Sequence, residues 1–164
     1  MYKIAQFSKV DFAVFAESFS EKEAKEKYER IKLPRRATVG SAGYDFFLTE
    51  DVRLSPGETA LIPTGIRARI DEGWCLQLFP RSGLGFKYRL QLNNTVGIID
   101  SDYYSSANQG HIFCKITNDS KEGKTLELRE GDAFCQGIFL PFGITVDDET
   151  DGVRDGGFGS TDKK

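Results

Sequence analysis

From Gly43 onward the chain is written in short runs bounded by turn residues, and in several of them apolar and polar side chains alternate. Ile66-Arg67-Ala68-Arg69-Ile70 is the clearest case, with a period of two that places its apolar residues on one face of a half-buried β-strand. Asp71-Glu72-Gly73 turns the chain into a second run, Trp74 to Phe79, and comparable runs occupy 111–117, 124–129 and 133–140. Strands this closely spaced, with no helical pattern between them, predict an all-β fold, an antiparallel jelly-roll-like sandwich or barrel. Before Pro34 the period changes. Ser20 followed by Glu23 reads as a capping box, and Ala24, Tyr28 and Ile31 recur at helical spacing, which predicts one short helix. Its interleaved charges, from Glu21 to Arg30, read as a solvated face. The stretch 147–164 has no apolar period, four glycines and a single aromatic, Phe158, and is expected to be a mobile arm. Its segment from Arg154 to Thr161 offers donors, bare backbone amides and a stacking ring, a composition that favours recognition over a passive tail.

The 164 residues suffice for a single domain and leave no room for a second, so the expected division is an N-terminal extension with its helix (1–33), a jelly roll (34–146) and the arm (147–164). With 39% hydrophobic and 29% charged residues the chain can build a core, which excludes disordered and fibrous classes. Twenty-two basic against 25 acidic side chains leave a net charge of -3, so no nucleic-acid partner is expected. No apolar run approaches the ~18 residues of a membrane span, and the first residues lack a signal peptide's apolar core. No membrane partner and a cytoplasmic location are therefore expected. Cys75, Cys114 and Cys135 lie far apart with no CxxC spacing, and His111 is the one histidine. Buried thiols in a reducing compartment fit that pattern better than a zinc site or a disulfide framework.

Five segments carry candidate chemistry. Ala42-Gly43-Tyr44-Asp45 opens a strand with a carboxylate just past a glycine. Pro80-Arg81-Ser82-Gly83 supplies a guanidinium, a hydroxyl and a glycine that admits close approach, the groups a phosphate site uses; a turn with an incidental arginine fits it as well. In the segment from Asn94 to Tyr103 an apolar run ends in two carboxylates, Asp100 and Asp102, either able to hold a water as general base, although a strand with a polar turn would look the same. Gln136 is a lone amide in an apolar strand and should have a partner, protein or ligand. The fifth segment is the arm.

Taken in order and at these separations, the five segments resemble the five motifs of the trimeric dUTP pyrophosphatase (dUTPase) family, from about Pro34 to Thr161. The resemblance implies a β jelly roll assembled as a homotrimer with active sites shared between chains. It implies hydrolysis of dUTP to dUMP and pyrophosphate, which keeps uracil out of DNA and supplies dUMP for dTMP synthesis. By the same resemblance Mg2+ is the cofactor, supported by Asp45 through its water shell, while Arg81, Ser82, Gly83 and Gln136 bind the phosphate chain. Asp100 matches the general base that readies a water for in-line attack on the α-phosphorus. Asn94, Gly97, Ile98 and Ile99 match the hairpin that reads uracil, Phe113 its wall, and Tyr103 the ring that packs on deoxyribose and excludes a 2′-hydroxyl. Phe158 would stack over uracil when the arm closes, with Arg154, Gly159, Ser160 and Thr161 on the terminal phosphates. The chain departs from the common pattern in two places. Tyr104 to Gln109 replace a single residue, which is expected to widen the uracil hairpin, and the arm is one residue shorter between Arg154 and Phe158. The N-terminal helix lies outside the match and receives no catalytic role. A dCTP deaminase of similar fold, a dUTP-responsive regulatory protein and a structural jelly roll are the competing readings.

Overall fold

The structure, a computed structural model, describes residues 2–152 and Arg154. In chain order the elements begin with β1 (Ala5–Lys9), α1 (Phe12–Ala16), α2 (Glu21–Arg30), β2 (Arg35–Arg36), β3 (Tyr44–Phe47), β4 (Val52–Leu54), β5 (Thr59–Pro63) and β6 (Ile66–Ile70). They continue with β7 (Trp74–Pro80), α3 (Ser82–Tyr88), β8 (Leu90–Leu92), β9 (Gly97–Ile99), a 3-10 turn (Ser101–Ser105), β10 (Phe113–Asn118), β11 (Leu126–Leu128) and β12 (Ala133–Pro141). Every strand run expected from the alternation is present. In β6 the period is visible as burial: Ile66, Ala68 and Ile70 face the core while Arg67 and Arg69 face outward.

The longest strand, β12, lies at the centre of a five-stranded antiparallel sheet ordered β2-β3-β12-β7-β9. A three-stranded sheet, β5-β10-β8, and the pairs β4-β11 and β1-β6 complete the strand set. Phe46, Leu76, Leu78 and Phe134 from the larger sheet meet Ile62, Leu90, Leu92 and Ile116 from the three-stranded one in a single buried cluster. Two sheets joined through one apolar core make the all-β, jelly-roll-like fold that the pattern predicts. Cys75, Cys114 and Cys135 are buried free thiols, as expected, and burial pushes the Cys135 thiol well up, which keeps it protonated and inert.

The N-terminal stretch holds more than the single helix expected. Helix α2 forms where the period places it, but the Ser20 hydroxyl bonds the Glu23 carboxylate and not the helix backbone, so the capping box is only half made. Its charges are not all solvated: Lys27 meets Glu50 at 2.8 Å and lies over the Phe19 ring, and Arg30 meets Glu130 at 2.6 Å. Ahead of it β1 pairs antiparallel with β6, and Val10 and Phe15 are fully buried. The third helix, α3, occupies the segment from Ser82, where the sequence had suggested a turn.

Candidate active site

The five-stranded sheet sorts the candidate residues into two groups. At one end of β7 the register sets Gln136 of β12 opposite both Asp45 of β3 and Phe79 of β7. A β-bulge between Ala133 and Cys135 fixes that alignment, since one residue of slip would send Gln136 to the other face. Arg81 leaves β7 there; its Nε lies 3.3 Å from Asp45 Oδ1, and its backbone N–H donates to the Phe134 carbonyl at 3.3 Å. Gly43 leaves room for this amide: a Cβ there would stand 2.5 Å from Gln136 Oε1 and turn the side chain aside. Gln136 itself is half-buried, which corrects the reason given for its partner: an amide in contact with solvent is not compelled to find one. Ser82 and Gly83 open α3 beside Arg81 and are exposed. Asp45, Arg81, Ser82, Gly83 and Gln136 thus converge, presenting a cation, a hydroxyl and an amide toward solvent.

The second group sits beyond β9. Gly97, Ile98 and Ile99 pair with Leu78, Gln77 and Leu76 of β7, so Asp100 follows on a level with Cys75. Asn94 lies in the tight turn before them, where the Thr95 N–H donates to the Leu92 carbonyl at 2.9 Å and Thr95 takes a φ of 65°. Arg154 reaches this end of the sheet. Its Nη2 donates to Asp100 Oδ2 at 2.5 Å and its Nε to Asp102 Oδ1 at 2.9 Å, and its guanidinium lies 5.9 Å from the Tyr103 ring centre. Asp102, weighed from sequence only as a rival to Asp100, is therefore half of a two-carboxylate clasp on one arginine. The Tyr103 ring is buried, and burial raises its phenol above the ordinary value, which leaves the hydroxyl a proton to donate. Phe113 opens β10 with its ring 4.1 Å, centre to centre, from that of His111, whose carbonyl accepts the Tyr103 hydroxyl. The remaining arm residues of the expected site, Phe158, Gly159, Ser160 and Thr161, lie outside the described residues.

The extra residues 104–109 extend the 3-10 turn after Asp100 and fold back against β6, where Arg67 Nη2 donates to the Tyr104 carbonyl at 2.7 Å. Polar side chains in the insertion, free to bond locally, support this arrangement.

Among the described residues no three His, Cys, Asp or Glu side chains gather into a metal cage. A single carboxylate, Asp45, borders the phosphate-type cluster. That donor set fits magnesium, which keeps most of its waters and takes one or two carboxylates plus phosphate oxygens.

The two groups lie at opposite ends of β7. Between the level of Asp100, opposite Cys75, and Arg81 are six residues of strand, roughly 20 Å at about 3.3 Å per residue. Comparison with known proteins supplies the family. The family model described as dUTPase matches residues 29–162. A deoxyuridine 5'-triphosphate nucleotidohydrolase of Lactococcus lactis subsp. lactis is 42% identical over 140 residues, 84% of this chain and 92% of that protein. One of Hahella chejuensis is 45% identical over 143 residues, 82% of this chain and 89% of the other. The crystal structure of dUTPase from Streptococcus mutans superposes with a TM-score of 0.65 at 34% identity, over 87% of this chain and 98% of that one. With the fold, the ordered motifs and these likenesses in agreement, the chain belongs to the dUTPase family and is an enzyme.

Proposed function

We propose that this enzyme hydrolyses dUTP to dUMP and pyrophosphate in the cytoplasm, keeping uracil out of DNA and supplying dUMP for dTMP synthesis. It does so in a homotrimer whose sites each draw on more than one chain, every chain being one dUTPase-like domain with residues 147–164 as its arm. The observation that carries the shared site is the separation along β7: Arg81 and Gln136 at one end, Asp100 at the other, too far apart to act on one α-phosphate. A partner copy closes that distance by bringing its own Asp100 end to the Arg81 cluster. Exposed Phe142, Ile144 and Val146, which follow β12, and Phe86 of α3 supply apolar surface for such contacts. The free buried thiols suit a reducing compartment.

In this reading Asp100 holds a water in line with the α-phosphorus and accepts its proton at a carboxylate oxygen, a role worth ~100- to 10,000-fold in rate. Arg154 occupies one of those oxygens, Oδ2, and in this reading turns from Asp100 to the terminal phosphates when substrate binds. Arg81, Ser82, Gly83 and Gln136 hold the phosphate chain and orient it. Asp45 would hold hydrated magnesium at the same place, and the ion would supply neutralisation of phosphate charge that otherwise repels the nucleophile. Asn94 and the main chain of Gly97 to Ile99 read uracil, with Phe113 as the wall, and Tyr103 packs on the deoxyribose. Phe158, Gly159, Ser160 and Thr161 close over the base and phosphates and exclude water.

Pyrophosphate release measured side by side with dUTP, dTTP, dCTP and UTP, with and without magnesium, tests this. Rapid turnover of dUTP alone, dependent on magnesium, is expected. Ammonia release from dCTP would move the enzyme to deaminase chemistry, and binding of dUTP without turnover to a regulatory role.

A further inference from the structure

The insertion 104–109 is built around Tyr103. The Tyr103 hydroxyl donates to the His111 carbonyl at 2.8 Å, which commits its single proton and leaves only lone pairs exposed. Asn108 Nδ2 donates into them at 2.9 Å. The amide is itself held in that orientation, because its Oδ1 lies 2.7 Å from Ser106 Oγ and accepts from the Gly110 N–H at 3.2 Å. Ser106 Oγ accepts from the same N–H at 3.1 Å and stands 2.7 Å from the Tyr103 carbonyl, its one proton serving either Tyr103 or Asn108. Only glycine closes the loop this tightly: Gly110 has a φ of 70°, and a Cβ there would stand 2.8 Å from the Tyr103 carbonyl oxygen and the Tyr104 Cα.

The loop is also fastened from outside. Arg67 stacks on the Tyr104 ring at 3.6 Å, and Gln109 exchanges two hydrogen bonds with Asp11, of 2.7 and 2.9 Å, so β6 and the N-terminal stretch brace it. The ring face of Tyr103 that meets Arg154 looks toward Asp100.

We propose that Asn108 is a positioning residue that sets how strongly the enzyme rejects ribonucleotides, by locking the Tyr103 ring as a rigid wall against the sugar. The inference rests on the reading of Tyr103 as the residue that packs on deoxyribose. Rejecting an analogue that merely adds a hydroxyl is a weak form of discrimination, worth about 100-fold in a simple pocket, and it falls further when the wall can tilt. Asn108 and His111 together fix the phenol end of the ring, and Ser106 fixes its backbone end. With Asn108 gone the ring keeps one tether at its hydroxyl and can yield to a 2′-hydroxyl.

The test is kcat/KM for dUTP, UTP and dTTP on the full-length wild type, Asn108→Asp and Tyr103→Ala, with thermal melts of each. Asp is close to isosteric with Asn but brings no donor, so the phenol has one proton for two acceptors, the His111 carbonyl and the carboxylate, and keeps one tether in place of two. For Asn108→Asp the UTP:dUTP ratio should rise about five- to tenfold, the scale of one buried hydrogen bond lost, while the dTTP:dUTP ratio stays within about twofold. A lower melting temperature with both ratios unchanged would reduce Asn108 to a stabilising residue and overturn the proposal; a rise in both ratios would overturn its confinement to the sugar. Tyr103→Ala separates the layers of the argument. An unchanged UTP:dUTP ratio there means that Tyr103 does not read the sugar at all, whereas a rise there without one in Asn108→Asp refutes the role of Asn108 alone. Should Asn108→Asp fail to fold, Tyr103→Phe removes this hydrogen bond together with the one to the His111 carbonyl, so a rise at least as large is required of it and an unchanged ratio overturns the proposal.

Discussion

A methyl group added at Gly83 would meet no heavy atom within 4 Å, and Gly83 lies in the first turn of α3, outside the left-handed region. The fold therefore has no use for glycine there, and alanine should stabilise the helix by up to about 1 kcal/mol. A phosphate chain lying against that backbone does have a use for it. Gly83→Ala should melt no lower than wild type while the KM for dUTP rises about tenfold, and an unchanged KM would remove Gly83 from the phosphate site. His111 gives a prediction of a different kind. Its Nε2 accepts the Gly65 N–H at 2.9 Å in a buried setting, so a proton placed there would face another donor, and desolvation lowers its pKa from 6.5 to about 4. The unfolded chain takes up that proton below pH 6.5 and the native chain refuses it, so stability present above pH 6.5 is lost as pH falls toward 4. The loss approaches about 3 kcal/mol. Denaturant midpoints at pH 7, 5.5 and 4.5 should fall more steeply for wild type than for His111→Gln; parallel slopes would remove His111 as the cause.

At the scale of elements, α1 is the piece with least claim to form alone: five residues, no side-chain cap, all apolar. It is held by what it buries. Phe15 is fully enclosed and its ring stands 4.9, 5.7 and 6.3 Å from those of Phe19, Tyr28 and His111, centre to centre. Phe15→Ala should cost about 3–5 kcal/mol in urea unfolding, the range for emptying a large buried aromatic. A cost under about 1 kcal/mol would mean that the N-terminal stretch unfolds separately from the β core. The same element shows what the sequence could and could not tell. Strand β6 was legible because its buried and outward faces write a period of two into the chain, and β7, β10, β11 and β12 were legible as short runs bounded by turn residues. A five-residue helix that is apolar all round has no period to read, and β1 carries one large inward side chain, Phe7, so only its pairing with β6 defines it. Helix α3 was hidden by Gly83 and Gly85, poor helix formers that tertiary context overrides. In the candidate site, the residue types around Asp45, Arg81, Gln136 and Asp100 were legible as ordered motifs. The clasp of Asp100 and Asp102 on Arg154, and the part of Asn108, were not, since both depend on contacts between residues whose meeting only the fold decides.

For the whole molecule the question is whether one chain can make a working site. Arg154 reaches Asp100 and Asp102 of its own chain, whereas Gln136 lies roughly 13 Å and Arg81 roughly 20 Å away along β7, so each chain carries complementary halves of a site at two ends of one sheet. A trimer with shared sites predicts that defects in different halves rescue one another. We would co-express an Asp100→Asn chain with a chain truncated after Asp151, tag them differently and purify trimers that contain both. Each alone should be nearly inactive: the amide cannot accept the water's proton, a loss of about 3–5 kcal/mol of barrier, and the truncation removes Arg154 and Phe158. A purified mixed trimer holds two chains of one kind and one of the other, and a site needs an intact Asp100 from one chain and an intact arm from a particular neighbour, a combination met once around the ring. Roughly a third of sites should then turn over dUTP. If the arm serves the Asp100 of its own chain, as the clasp in the isolated chain would have it, every site lacks one part and verified mixed trimers give no activity. Recovery near a third would therefore mean that the clasp on Asp100 opens on assembly and that Arg154 crosses to a neighbour's site.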